Sequence, residues 1–245
     1  MKKRYKRLTY VFKNSIEVYE YLDGRYGAPG EKREKKKKAT KEEIAKRNQW
    51  NRERKVRHKL KTWFHENDYL VLLTYKKEER PPDMKTAKAQ FKTWYEKLRK
   101  EFRKRGAELR WIRNIEKGSR GNWHVHVVIN RIEDADILIK KAWPHGSVTF
   151  KHLYENGDFA DLAGYMCKTP ETCSRYEESL SEASYSASKN LPVEEPKVKK
   201  LAYWRKEPKE KEGYYIDRDS FHEGTNPRTK CKYRYYTLVR IHRRI

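Results

Sequence analysis

Hydrophobic positions in the middle of the chain follow two rhythms. Phe91, Trp94, Tyr95, Leu98 and Phe102 lie three, four, seven and eleven positions along from the first, the spacing of one helix face. Just before them, Tyr69–Tyr75 (YLVLLTY) is a short apolar run of strand length, ended by the Glu-Glu-Arg-Pro-Pro-Asp stretch at 78–83. Leu109–Ile115 and Trp123–Ile129 read as two further strands joined by the hairpin connection Glu116–Asn122. Ile132–Trp143 returns to helical spacing and stops at Pro144; Ser147–Tyr154 is a strand, Asn156-Gly157-Asp158 a turn, and Phe159–Lys168 a short helix before Thr169-Pro170.

The order β-α-β-β-α-β-α predicts an α+β fold whose first six elements have the ferredoxin-like, RRM-like arrangement. In it, an antiparallel sheet carries helices on one face and leaves the other for a ligand or further elements. The flanks read as basic extensions. Residues 7–27 hold two β-rich runs around Lys13-Asn14-Ser15, a hairpin pattern. The low-complexity stretch that follows contains Lys35, Lys36, Lys37 and Lys38, a solvated linker or phosphate-contacting arm. Thr40 and Glu43 have capping-box spacing and open a helix through about Phe64, with sparse apolar positions at Ile44, Val56, Leu60, Trp63 and Phe64. Residues 171–196, rich in Ser, Glu and Pro, read as a linker, and residues 214–245 as a second hairpin around Thr225-Asn226-Pro227. The expected division is therefore 1–64, 65–170 and 171–245.

Composition narrows the class. Among 245 residues there are 60 Lys and Arg against 35 Asp and Glu, a net charge of +25, so a polyanionic partner is expected, nucleic acid foremost. With 13% aromatic residues the chain has enough apolar surface to fold despite 39% charged residues. No run approaches the ~20 apolar residues of a membrane span, and the basic start MKKRYKRLTY has no apolar segment of a signal peptide. Three cysteines do not make a disulfide framework and agree with a reducing, cytoplasmic compartment.

Two tracts carry candidate chemistry. In Trp123–Ile129 (WHVHVVI), alternation puts His124 and His126 on one face and Val125, Val127 and Ile129 on the other, so Trp123 is expected in the core. A hairpin returns Glu116 beside His124. Two imidazoles and a carboxylate hold one divalent ion while leaving positions for phosphate oxygens or water. Taken alone, His-x-His on a strand is more often structural or solvated than a ligand pair, and Glu before a turn is usually a surface residue. His152 and Glu155 are reserve ligands. The second tract is Asp161–Lys168 (DLAGYMCK), in which Asp161, Tyr165 and Lys168 share a helix face. A tyrosine nucleophile needs a nearby cation or metal, because a phenol titrates near ~10; a lysine one turn away stabilises charge on a phosphate. By itself the pair is more often a core tyrosine beside a lysine stem.

Together the motifs resemble the HUH endonucleases. HVHVVI resembles their His-hydrophobe-His motif, YLVLLTY the strand motif that precedes it in rolling-circle replication initiators, and Tyr165-Met-Cys-Lys168 their Tyr-x-x-Lys motif, all in family order over about residues 60–170. The likeness is to replication-associated proteins of small single-stranded DNA phages and bacterial mobile elements. It implies a Mn2+ or Mg2+ ion held by Glu116, His124 and His126. It also implies nicking of single-stranded or hairpin origin DNA through a 5′-phosphotyrosine on Tyr165, with Lys168 assisting and Asp161 in support. Threonines at 169 and 172 leave no second helical tyrosine, which points to the single-tyrosine subclass. No G-x-x-x-x-G-K-[ST] occurs, so a separate helicase and the host polymerase of a bacterial cell are expected partners. Lys35–Lys38, Arg80 and Arg120 are expected DNA contacts. The competing readings are a relaxase or single-tyrosine transposase with the same chemistry, and a non-catalytic RRM-like nucleic-acid-binding module.

Overall fold

The computed structural model describes residues 5–22, 38–153, 159–226 and 231–241. The strands are β1 (Tyr5–Val11), β2 (Ser15–Leu22), β3 (Tyr69–Thr74), β4 (Trp111–Gly118), β5 (Trp123–Ile129), β6 (Val148–His152), β7 (Leu180–Ala187), β8 (Lys197–Leu201), β9 (Tyr214–Thr225) and β10 (Lys232–Arg240). The helices are α1 (Lys41–Trp63), α2 (Met84–Lys104), α3 (Ala135–Ala142) and α4 (Ala160–Met166). The fold is α+β with two antiparallel five-stranded sheets. The chain divides into a central unit, Lys46–Val193, and a terminal unit, Met1–Ala45 with Glu194–Ile245.

In the central unit the strand order is β6-β3-β5-β4-β7. The helix foreseen from Phe91, Trp94, Leu98 and Phe102 is α2; all four side chains are buried, and Asp83 caps its start by accepting from the Thr86 amide at 2.7 Å. With α3 it covers the face formed by Val71, Leu73, Ile115, Trp123, Val125, Val127 and Ile129. Trp123 is buried there, as alternation requires. The expectation of helices on one face holds for α2 and α3. The opposite face carries helices too: Val56, Leu60 and Phe64 of α1 and Ala163 and Met166 of α4 pack on Ile112 and Val128. Only the half of that face that bears His124 and His126 is left to polar side chains.

The β4–β5 hairpin turns through Ser119–Asn122, closed by the Gly118 amide donating to the Asn122 carbonyl at 2.8 Å and the Gly121 amide to the Gly118 carbonyl at 2.9 Å. Gly121 has φ 76°, a left-handed conformation that glycine adopts without a Cβ clash.

Residues 180–187 are not linker. They form β7, paired with β4 from Ile112↔Ala187 to Gly118↔Leu180. Their Ser- and Glu-rich composition suits an edge strand, whose outer side faces water. The terminal segments also do more than extend the chain. β1 and β2 pair as the hairpin their pattern implies, β9 pairs with β10, and β2 and β10 join them into one sheet of order β8-β1-β2-β10-β9. Its core is Ile16, Val18, Tyr236 and Leu238. Beside them the buried Glu20 carboxylate accepts from Arg234 Nε at 2.5 Å and from Arg7. Deleting residues 1–38 to remove the lysine run would therefore also remove two strands. Substituting Lys35–Lys38 is the cleaner test of that run. Of these, Lys38 is exposed and Lys35, Lys36 and Lys37 lie outside the described residues. All three cysteines are buried free thiols.

Candidate active site

Pairing across the central sheet aligns Thr74, His124, Glu116 and Ala183 in one row and Leu72, His126, Asn114 and Tyr185 in the next, all on one face. The next row, Leu70, Val128, Ile112 and Ala187, is apolar and belongs to the packing under α1 and α4. The boundary between polar and apolar rows is where α4 ends. Asn114 Nδ2 donates to the Lys168 carbonyl at 3.0 Å, and Gln49 Nε2 on α1 donates to the Cys167 carbonyl at 3.2 Å. These bonds satisfy carbonyls left free at the helix C-terminus.

The foreseen helix from Phe159 to Lys168 is shorter than its spacing suggested, and Lys168 lies just beyond its end. A turn with the Lys168 amide donating to the Tyr165 carbonyl at 3.3 Å keeps the two side chains together. Lys168 Nζ sits 3.6 Å from the centre of the Tyr165 ring, a cation–π contact. The ammonium is fully buried, 3.1 Å from Glu116 Oε2 and 2.5 Å from Glu178 Oε2. These are ionic contacts without hydrogen-bond alignment. The Tyr165 hydroxyl lies 3.2 Å from both ring nitrogens of His126 and 3.5 Å from Glu178 Oε1. His126 Nε2 is in turn 3.3 Å from Glu116 Oε2. Glu116, His126, Tyr165 and Lys168 thus form one contact network, and His124 stands next to it, its ring centre 6.2 Å from that of His126.

Electrostatics set the resting protonation. Burial, reinforced by the Glu178 and Glu116 carboxylates, pushes the Tyr165 phenol well above its ordinary value, so it is protonated at neutral pH. Burial and the neighbouring His126 hold His124 below the usual imidazole range, which keeps it neutral and available as a ligand. Asn122, supplied by the hairpin turn, places its Nδ2 3.3 Å from His124 Nε2.

Glu116, His124 and His126 fit a divalent cation by donor chemistry: two imidazoles and one carboxylate on adjacent strands of one face. The buried Oδ1 of Asn114, on the same face, has no hydrogen-bond partner. As they stand, no three His, Cys, Asp or Glu side chains among the described residues are gathered closely enough to hold a metal ion. The Glu116 carboxylate instead faces the Lys168 ammonium and His126.

The remaining candidates separate from this network. Asp161 is exposed and its charge acts on Tyr176. Arg120 is exposed at the tip of the hairpin that carries His124, and Arg80 is exposed in the turn after β3. His152 pairs with Tyr69 and so lies on the α2 face, opposite His124 and His126. That removes it as a reserve ligand; Glu155 lies outside the described residues. Sequence reasoning missed Glu178, Asn114 and Tyr176. The Tyr176 ring meets the Tyr165 ring edge-on at 5.4 Å, and its hydroxyl occupies the space where a Cβ on Gly164 would project. Asn114 was legible by alternation two residues before Glu116; nothing local marks Glu178.

Lys168→Ala removes the cation that two carboxylates of the network share. The variant should lose several kcal/mol of stability, on the scale of a broken buried ion pair, read as a lower Tm. Lys168→Arg should recover part of that loss.

Residues 68–170 match the model of a replication-associated protein family, the one that unites the ORF2 and gene II replication proteins. The matched stretch begins at β3 and ends just after Lys168, so it spans every residue of the network except Glu178. The match supports a Rep-like replication initiator, with a role in replication initiation, DNA binding and, at the coarse level, a nicking endonuclease. No curated protein and no solved structure gives a significant match. No helix among the described residues is long and apolar enough to cross a membrane.

Proposed function

We propose that this chain is a single-tyrosine HUH endonuclease that nicks and rejoins single-stranded origin DNA to start rolling-circle replication. The observation that carries the reading is the Tyr165 hydroxyl, placed 3.2 Å from His126 beside the buried Lys168 ammonium. Tyr165 Oη attacks the phosphorus of the scissile phosphodiester; the phosphorus–O3′ bond breaks, and a 5′-phosphotyrosine and a free 3′-hydroxyl result. The phenol must lose its proton as it attacks. His126 and Glu178 are the acceptors within reach, and the high affinity of Tyr165 for its proton makes the phenolate a strong nucleophile once formed. Lys168 stabilises the charge that develops near the ring. Glu116, His124 and His126 would hold a Mn2+ or Mg2+ ion, which polarises the phosphate when bound. Joining is the same displacement in reverse, with a 3′-hydroxyl as the attacking group.

A non-catalytic RRM-like module would use an open sheet face with exposed aromatics to stack bases. Here the corresponding face is half covered by α1 and α4. Its polar half holds buried charges, which favours chemistry over stacking.

Incubating the protein with a 5′- or 3′-labelled origin oligonucleotide and Mn2+ tests the proposal. The fragment downstream of the nick should become covalently attached and migrate with the protein in denaturing gels. Cleaved DNA without any attached fragment would overturn the reading.

A further inference from the structure

The terminal unit carries a cavity of about 520 Å³ on one face of its sheet. This is within the ~300–1,000 Å³ range of sites that bury a small organic group. Its floor is apolar, made by Ile16 and Val18 of β2 and Tyr236 and Leu238 of β10, with Val11 of β1 half exposed at the edge. Register explains the floor: Ile16 faces Leu238 and Val18 faces Tyr236 across the β2–β10 pair, so four apolar side chains form a contiguous square.

The mouth has opposite character. Lys197 of β8 stands on one side, opposite Thr9 in register, and Lys199 follows on the same face of that strand, opposite Arg7. Lys209 and Lys211, in the segment leading into β9, stand on the other side. Glu210 and Glu212 alternate with these two lysines. The guanidinium of Arg7 is held by Glu20. The exposed lysines remain the groups able to meet an incoming anion.

An apolar slot beneath a lysine mouth matches one chemical object: an unstacked base joined to its phosphates. We infer that the terminal sheet is a second binding site for single-stranded DNA, in which one base enters the slot over Val18 and Tyr236 while Lys197 and Lys211 meet the flanking phosphates. The flat faces of the base lose water against the aliphatic and phenol surface. Each phosphate met by a lysine releases condensed counterions. A duplex keeps its bases stacked and paired and cannot present one to the slot. The identity of the ligand as DNA rests on the replication-initiator reading; the geometry of the site does not involve Tyr165, the histidines or any metal ion.

The test uses the full chain and a fluorescein-labelled oligo-dT of about twelve nucleotides, within the usual reach of single-strand sites. Binding is followed by anisotropy over a range of salt concentrations with chelator present, so that no cleavage intervenes. The Lys197→Ala, Lys211→Ala double variant should bind about tenfold more weakly. Its plot of log affinity against log salt should flatten by about 1.4, or ~0.7 for each lost phosphate contact. Val11→Glu, an exposed change that puts a carboxylate at the slot, should also weaken binding. Lys200→Ala, on the opposite face of β8, makes the same change in charge away from the slot and should alter affinity less than twofold.

Photocrosslinking of an iodouracil-substituted oligonucleotide should label the peptides containing Val18 or Tyr236. Equal losses for Lys200→Ala and for each single lysine variant at the mouth would mean diffuse attraction only, and would overturn the inference. So would unchanged binding by the double variant, which would leave the slot to an occupant other than DNA. If crosslinking and the salt effect appear but no covalent adduct forms in the cleavage assay, the nicking proposal fails and this site stands.

Discussion

Tyr165→Phe should abolish the covalent protein–DNA adduct entirely while leaving DNA binding near the wild-type level. The substitution removes one oxygen and almost no volume. The ring can therefore keep its edge-on contact with Tyr176 and its place under the Lys168 ammonium. The lost contacts are those of the hydroxyl with His126 and Glu178, and Glu178 keeps its ion pair with Lys168. The change in stability should be small, about 1 kcal/mol or less, the scale of one partly buried hydrogen bond. Phenylalanine has no atom that can attack phosphorus, so the adduct is lost rather than slowed. Mass spectrometry of the peptide trapped on wild-type protein checks the assignment. An adduct on Tyr176, whose ring is 5.4 Å away, would move the nucleophile within the same cluster. An adduct on a tyrosine of the terminal unit would refute the site.

Removing divalent cations should have the second-largest effect. Excess EDTA should reduce nicking to background, and Mn2+ or Mg2+ should restore it. His124→Ala should abolish nicking even in saturating metal and leave the fold intact, because His124 lies outside the ion-pair network that binds β4 to the end of α4. Glu116→Ala is a less clean experiment. Its carboxylate also neutralises buried Lys168, so a folding defect would accompany the loss of a ligand. Glu116→Gln keeps the size and one acceptor oxygen and separates the two effects. Isothermal titration of Mn2+ into His124→Ala should show weakened binding. Undiminished cleavage in excess chelator would sink the metal proposal.

Lys168 and the metal ligands are coupled in a way the linear motif does not reveal. In the resting arrangement the Glu116 carboxylate serves the ammonium. A divalent ion held by Glu116 would share that carboxylate with Lys168, and Glu178 supplies a second carboxylate that can keep the lysine in place.

Local sequence by itself determined much of the central unit. The apolar spacing of α2, the hairpin glycines of β4–β5 and the alternation that puts His124 and His126 on one face are effects of helix and strand periodicity acting within a dozen residues. Such patterns do not depend on distant partners, so the face of Trp123 and the closeness of Glu116 to His124 could be read directly. The N-terminal and C-terminal hairpins were legible for the same reason. Only the tertiary structure decided that they form one sheet, with Val18 opposite Tyr236, because strand pairing depends on apolar faces meeting across more than two hundred residues of chain. It also decided that residues 180–187 complete the catalytic sheet, since an edge strand needs little hydrophobic signal when only one side is paired. Glu178 follows from that closure. Its position has no motif, and it reaches Tyr165 and Lys168 because β7 docks on β4 and brings the preceding turn over the end of α4. The burial of Lys168 is likewise a tertiary outcome: a lysine is left in the interior only where the fold supplies carboxylates to hold it, here Glu116 and Glu178 from opposite sides of the site.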